Sequence, residues 1–193
     1  AAKRVYIHED IYDAVAHELV EFAKTVTVGD GAQQGVDLGP VQNRMQFEKV
    51  KSLLADSKAQ GHRFLMGGEP SGGKGYFIPI SIVDNPPENS RVVVEEAFGP
   101  VLPLLKFSDI DDVVQRANNT LTGLAGSVWS SDPKKAREIA ERLETGTVWI
   151  NEILFFSPDA PFSGHKQSGL GAEHGMEGLL EFTNTQTITS KKL

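Results

Sequence analysis

The chain contains no cysteine, and this absence excludes several kinds of chemistry from its 193 residues. Disulfides, thiolate metal sites and a cysteine nucleophile all need a sulfur atom that the chain does not have. No apolar run approaches the ~20 residues that a membrane-spanning helix needs. The formal net charge is −7 and no basic block offsets it, so we expect neither a nucleic-acid interface nor a membrane surface. A soluble domain of the cytoplasm is the expectation.

Motifs for other kinds of active site are also missing. The five histidines do not have metal-ligand spacing, so we predict no metal site. Ser163 and Ser168 lie in glycine-rich turns, but neither falls in the Gly-x-Ser-x-Gly pattern of a serine nucleophile. A glycine-rich segment at 67–75 approaches a phosphate-binding loop, but a strand is predicted after it where that loop needs a helix. From the residues alone no catalytic group is predicted, and the chain carries half of a site.

Apolar periodicity predicts strands that alternate with helices through most of the chain. The first helix is predicted over 11–26 with Ile11 and Phe22 on its buried face, and Asp132 followed by a proline predicts the start of a later helix. Such alternation favours βαβ units, and therefore an α/β fold with a mostly parallel sheet and helices on both faces. Ligands of such sheets bind at the carboxyl ends of strands.

The segment 92–101 is the most suggestive candidate for a binding site. Its three valines predict a buried strand that presents Glu96 and Phe98 at its end, and Gly99 with the following proline predicts a sharp turn. A carboxylate beside an aromatic ring suits a pair of sugar hydroxyls and a flat ring. The alternative is an exposed acidic turn whose phenylalanine packs in the core, and the residues alone leave both open.

The last 40 or so residues contain a long loop and an unpaired strand. The loop is predicted over 152–171, and its aromatic residues favour function over disorder because they need burial or a ligand. A strand is predicted over 185–189 with no partner in its own domain. An unpaired strand edge favours self-association.

Several segments together resemble the aldehyde dehydrogenase superfamily, in its order and at its spacing. They are EEAFGPV at 95–101, NNTLTGLAGSVW at 118–129, LETGTVWIN at 143–151 and PFSGHKQSGLGAEHG at 161–175. The resemblance covers essentially the whole chain. It implies a catalytic-type α/β domain at 1–183 and an oligomerisation strand at 184–193, in a segment that begins just after the family's catalytic cysteine.

The resemblance implies an oxidoreductase that uses NAD or NADP to oxidise an aldehyde to a carboxylic acid through a cysteine thiohemiacetal and thioester. The family's nucleophilic cysteine, general-base glutamate and cofactor domain belong upstream, so the isolated chain is expected to be inactive. The implied partners are a small-molecule aldehyde, the N-terminal cofactor domain and further copies of the chain in a homo-oligomer. The alternative is a non-catalytic, truncated domain that acts as an oligomerisation or binding module.

The resemblance also implies which residues contact the cofactor. Glu96 matches the glutamate that hydrogen-bonds the nicotinamide ribose, and Phe98 matches the aromatic residue beside the nicotinamide ring. Gln46 matches a position that contacts the ribose, with Lys49 as the alternative there.

The implied substrate site is apolar. Four side chains would line it or shape its entrance, and they are Leu154, Phe155, Phe156 and Phe162. An apolar or aromatic aldehyde is therefore expected. The chain departs from the family pattern at Ser163, where a glycine is usual, and at Ala172, where many members have arginine.

Overall fold

A computed structural model describes residues 2–70 and 72–192 of the chain. Ala1, Ser71 and Leu193, which fall in the predicted domain, the glycine-rich segment and the predicted arm strand, lie outside the described residues. The chain divides into two compact units, Ala1–Asp109 and Ile110–Leu193. The predicted boundary between residues 183 and 184 stays a prediction. Within the described residues, every helix is too short or too polar to cross a membrane.

The described part of the first unit contains a four-stranded sheet. Its elements in chain order are β1 (Val5–His8), α1 (Glu9–Thr25), α2 (Arg44–Ala59), β2 (Phe64–Met66), β3 (Ser81–Asp84), α3 (Arg91–Val94) and β4 (Val101–Phe107). The strand order is β1–β4–β3–β2, in which β4 pairs in parallel with both β1 and β3, and β2 runs antiparallel to β3. The α/β class is confirmed, and the sheet is mixed because one edge strand is antiparallel.

Helices cover both faces of this sheet, as the alternation of elements predicted. Neighbouring residues of a strand point to opposite faces. In β4, Leu104 packs in the cluster that contains α1, whereas Leu105 packs in the cluster that contains α2 and α3. β3 divides in the same way, with Ile82 on the α1 side and Val83 on the other side. The sheet is therefore the middle of three layers.

The buried face of α1 differs from the prediction. Ile11 and Phe22 are 54% and 69% exposed, whereas Tyr12 is only 2% exposed. The Tyr12 hydroxyl donates a hydrogen bond of 2.7 Å to Oδ1 of Asp84, at the end of β3. This contact orients Tyr12 toward the sheet. The buried face of α1 is therefore centred one residue away from the face that periodicity predicted.

Replacing Tyr12 with phenylalanine should lower the free energy of unfolding by about 1–2 kcal/mol, because a half-buried carboxylate loses a donor. The other oxygen of Asp84 still accepts from Nε of Arg63 at 2.7 Å, so the ion pair survives the change. Urea denaturation measures the difference. Tyr76→Phe is the matched control, because that ring is 38% exposed and should change the free energy by less than about 0.5 kcal/mol. Equal losses for the two variants would contradict this account.

The same contact makes stability depend on pH. Burial, followed by the hydrogen bond to Asp84 and its negative charge, raises the pKa of Tyr12 above its ordinary value. The unfolded tyrosine has a pKa of about 10, so its hydroxyl ionises first in the unfolded state and stability falls as the pH rises above about 10. The stability advantage of the wild type over Tyr12→Phe should therefore be constant below that pH and shrink above it.

The second unit is built from shorter elements. They are α4 (Ile110–Asn118), β5 (Thr122–Gly123), β6 (Ala125–Val128), α5 (Pro133–Ala140), β7 (Thr147–Ile150), β8 (Phe162–Ser163), β9 (His165–Lys166), β10 (Ala172–Glu173) and α6 (Gly175–Leu180). β6 pairs in parallel with β7, and short antiparallel pairs join β5 to β9 and β8 to β10. The described arm residues, 184–192, form neither helix nor strand, so pairing of this segment across subunits stays a prediction.

Candidate functional site

The valine segment 92–94 is helical, so the strand predicted there is wrong. The amide of Val93 donates to the carbonyl of Ser90 at 3.0 Å, and Arg91 pairs with Glu95 one helical turn later at 2.6 Å. Two of the three valines are buried in the core between α2 and the sheet. Burial outweighs the strand propensity of valine, and the exposed ion pair across one turn adds only about 0.2–0.5 kcal/mol.

Residues 95–99 follow this helix as an exposed loop, which we call the acidic loop. Phe98 is 73% exposed, so the alternative in which this phenylalanine packs in the core is wrong. Its φ is +44°, in the left-handed region that a bulky residue adopts only at a cost in energy. Strain of this kind is concentrated at ligand sites. The acidic loop therefore leaves the Phe98 ring and the Glu96 carboxylate exposed, where a ligand could reach them.

Helix α2 supports the acidic loop. The side-chain amide of Gln46 donates a hydrogen bond to the carbonyl of Ala97. Gly99 lies so close to α2 that a Cβ atom there would be 2.7 Å from Cγ2 of Val50. Lys49, on the same helix, lies near enough to act on Glu95. The hydrogen bond from Arg91 is the largest influence that lowers the pKa of Glu95, and the charge of Lys49 lowers it further.

Lys3 brings a second positive charge to the acidic loop. Its ammonium donates to the carbonyl of Val94, which is 91 residues away in the chain. Burial is the main reason that the pKa of Lys3 is lowered, and the nearby negative charge of Glu96 acts in the opposite direction. Sequence reasoning missed Lys3 as a functional candidate, and no local pattern could have found it, since only the fold brings it to the loop.

The predicted substrate residues lie in the second unit, and two of them, Phe155 and Phe156, contact Trp149. Phe156 makes edge-to-face contacts with Trp149 at 5.8 Å and with Phe162 at 5.0 Å between ring centroids. We call these three rings the aromatic cluster. The indole Nε1 of Trp149 donates to the carbonyl of Phe155 at 2.7 Å. Sequence reasoning missed Trp149, although a large aromatic residue in a strand just before an aromatic loop is a signal that could have found it.

The loop at 151–156 is fixed at its base. Asn151 has a φ of +53°, and its side-chain amide both accepts from the amide and donates to the carbonyl of Ser130, at 2.8 Å each. The hydroxyl of Ser127 donates to the carbonyl of Glu152 at 2.6 Å. Leu154 is exposed, with a φ of +61°. The loop therefore displays apolar side chains on a backbone that side-chain hydrogen bonds already hold.

Both candidate surfaces are open. Two shallow cavities lie along α1, and neither is lined by a residue predicted to bind cofactor or substrate. Among residues 2–70 and 72–192, no group of three His, Asp or Glu side chains could hold a metal ion. Phe98 of the acidic loop and Phe156 of the aromatic cluster are 73% and 46% exposed, so each surface can cover one side of a ligand.

Comparisons with known proteins give one family throughout. The profile of the Aldehyde dehydrogenase family matches residues 1–188. A probable aldehyde dehydrogenase of Pseudomonas sp is 45% identical over 191 residues, which are 97% of this chain and 38% of that protein. Aldehyde dehydrogenase, cytosolic 2 of Macroscelides proboscideus is 40% identical over 191 residues, which are 99% of this chain and 80% of that protein.

Solved structures agree with the sequence relatives. The NAD+ complex of an aldehyde dehydrogenase from Bacillus cereus superimposes with a TM-score of 0.89 at 36% identity. The match covers 94% of this chain and 37% of the Bacillus chain. The chain therefore spans less than two fifths of the length of the Pseudomonas and Bacillus proteins.

Proposed function

Because this chain belongs to the aldehyde dehydrogenase family of oxidoreductases, we propose that its residues are part of an enzyme that oxidises an aldehyde to a carboxylic acid with NAD or NADP. The cysteine that forms the thiohemiacetal and thioester would then lie outside these 193 residues, which contain none. The proposal includes a place in the cytoplasm, by analogy with the cytosolic relative, and assembly as a homo-oligomer through residues 184–193.

The acidic loop fits a nicotinamide dinucleotide, and its geometry is the observation that carries the proposal. The exposed Glu96 carboxylate can accept hydrogen bonds from two neighbouring ribose hydroxyls, and the exposed Phe98 ring offers an apolar surface to a flat ring. The cofactor, when bound, supplies the acceptor for the hydride of the aldehyde. A strained, exposed phenylalanine has no evident role in packing, whereas contact with a ligand accounts for it.

Two residues of α2 have separate roles in this proposal. Gln46 fixes the acidic loop, since its side-chain amide already donates to the carbonyl of Ala97. Lys49 lies on the same helix, is half-buried and is near enough to Glu95 to lower the pKa of that carboxyl, so it is the residue of α2 that we propose for a polar contact with the ribose.

The second unit supports a proposal for the class of substrate. The residues proposed to shape the aldehyde site are apolar, and they are Leu154, Phe155, Phe156 and Phe162. Their surface can hold the apolar body of an aldehyde and keep water from it. We propose an apolar or aromatic aldehyde.

A second candidate function is a non-catalytic module for oligomerisation or binding. The observation that favours it is the apolar surface near the end of the chain, where Leu170, Phe182 and Ile188 are each more than 80% exposed. Exposed apolar side chains in such number mark contact surfaces. This function would need no cysteine.

The mass and activity of the gene product in its native cells separate the two functions. We expect a mass of more than twice 21.0 kDa under denaturing conditions, together with formation of NADH or NADPH that depends on benzaldehyde. The isolated 193-residue chain should give no such signal, because it has no thiolate to attack the aldehyde. A native product of about 21.0 kDa without aldehyde oxidation would contradict the enzyme and support the module.

A further inference from the structure

We propose that Trp149 is a positioning residue for the aldehyde site, and that it gives the site a preference for aromatic over linear aliphatic aldehydes. The inference rests on the proposed function, because it assumes that Phe155 and Phe156 face the substrate. The inference adds Trp149, which acts through these two phenylalanines and determines which aldehydes their surface prefers.

Trp149 is itself held in a fixed place. It lies in β7, paired in parallel with Ser127 of β6, and the hydroxyl of Ser127 also holds the loop at the carbonyl of Glu152. The indole N–H can only donate, and a half-buried indole needs an acceptor. It finds that acceptor in the carbonyl of Phe155, at 2.7 Å. Trp149, a residue of strand β7, thus fixes the backbone of the loop at Phe155, whose ring is exposed.

The indole also fixes the orientation of Phe156. The Phe156 ring is perpendicular to Trp149, with an angle of 90° between the planes, and is at 86° to Phe162 on its other contact. Edge-to-face pairs of this kind resist rotation of the ring between them. About half of Phe156 still reaches solvent, at 46% exposure. Its exposed surface is therefore presented in one orientation.

A fixed aromatic surface favours flat ligands. An aromatic aldehyde gains both buried area and a ring contact of defined geometry, whereas an alkyl chain gains buried area alone. If the Phe156 ring were free to rotate, an aromatic aldehyde would lose the ring contact of defined geometry but would keep most of its buried area. Loss of Trp149 should therefore weaken aromatic ligands more than aliphatic ones.

The test measures binding of benzaldehyde and of hexanal to the 193-residue chain by ligand-observed NMR titration. Trp149→Phe keeps a ring edge against Phe156 and loses the N–H donor, and Trp149→Ala loses both. We expect benzaldehyde affinity to fall about threefold in Trp149→Phe and about tenfold in Trp149→Ala, with hexanal changing by less than about twofold. Trp129→Phe is the control, because that residue is 63% exposed and should leave both affinities unchanged.

A second measurement tests the contact without any aldehyde. In the Trp129→Phe variant a single indole N–H resonance remains, and its exchange with solvent should be slowed by the bond to Phe155. Rapid exchange would overturn the inference, as would wild-type ratios of benzaldehyde to hexanal affinity in both Trp149 variants. Trp149→Phe alone decides the second point if Trp149→Ala does not fold. Failure of the wild-type chain to bind benzaldehyde would instead contradict the proposed aldehyde site, and the inference with it.

Discussion

Replacing Gly146 with alanine is expected to destabilise the second unit by about 3 kcal/mol, at the upper end of the usual cost of overpacking. A Cβ atom at this position would lie 1.7 Å from the carbonyl oxygen and 2.7 Å from the carbonyl carbon of Ser163. Both are backbone atoms, so no side-chain rotation can make room, and strand β8 would have to move. Because β8 also contains Phe162, the change should disturb the aromatic cluster as well as the stability.

Tryptophan fluorescence during thermal unfolding reports on the unfolding of the second unit, because Trp129 and Trp149 both lie in it. The midpoint should fall by roughly 10–20 °C in Gly146→Ala. Gly126→Ala is the matched control, since the nearest atom to its Cβ is the flexible end of Leu143, at 3.3 Å. We expect its midpoint within about 3 °C of the wild type. Similar midpoints for the two variants would show that β8 can move at little cost in stability, and this would contradict the close packing of Gly146 against Ser163.

The sequence predicted best where neighbouring residues alone decide the structure. Asp132 and the proline after it predicted a helix start, and Oδ1 of Asp132 accepts from the amides of Lys134 and Lys135 at 3.0 and 3.2 Å. Alternation of apolar runs likewise gave the α/β class. Capping and periodicity depend on atoms a few residues apart, so a linear pattern contains the information.

The predictions that failed depend on distant parts of the chain. Three valines predicted a strand at 92–94, but burial against α2 makes the segment helical. Periodicity placed Ile11 on the buried face of α1, but the hydrogen bond from Tyr12 to Asp84 turns the helix. Propensity is worth a few tenths of a kcal/mol per residue, whereas a buried side chain or hydrogen bond is worth about 1 kcal/mol or more.

The candidate site shows the same division. Motifs that resemble a known family pointed to Glu96, Phe98 and Phe162 by position, and the structure places the first two together on one exposed loop. The contact of Trp149 with the carbonyl of Phe155 spans six residues, and a local pattern could have suggested it. The contact of Lys3 with the carbonyl of Val94 could not be predicted, because only the fold brings these two residues together. The positive φ of Phe98 likewise has no signature in a sequence that places no glycine there.

Replacing Glu96 with glutamine should weaken cofactor use strongly in the active gene product. Glutamine keeps the shape of the side chain, but it turns one acceptor into a donor and removes the charge that strengthens hydrogen bonds from hydroxyls. Hydrogen bonds to a charged group contribute about 1.5–3 kcal/mol, so kcat/KM for the cofactor should fall by roughly 10- to 100-fold. A dissociation constant from titration should rise in parallel.

The most direct test of the account compares Glu96→Gln with Glu95→Gln in that titration and assay. Glu95 is the matched control, because its carboxylate is already engaged by Arg91 at 2.6 Å and an exposed ion pair contributes little. We expect the control to stay within about twofold of the wild type, while Glu96→Gln loses roughly 10- to 100-fold in kcat/KM. Equal affinity for the cofactor in both variants and the wild type would show that the acidic loop does not bind it.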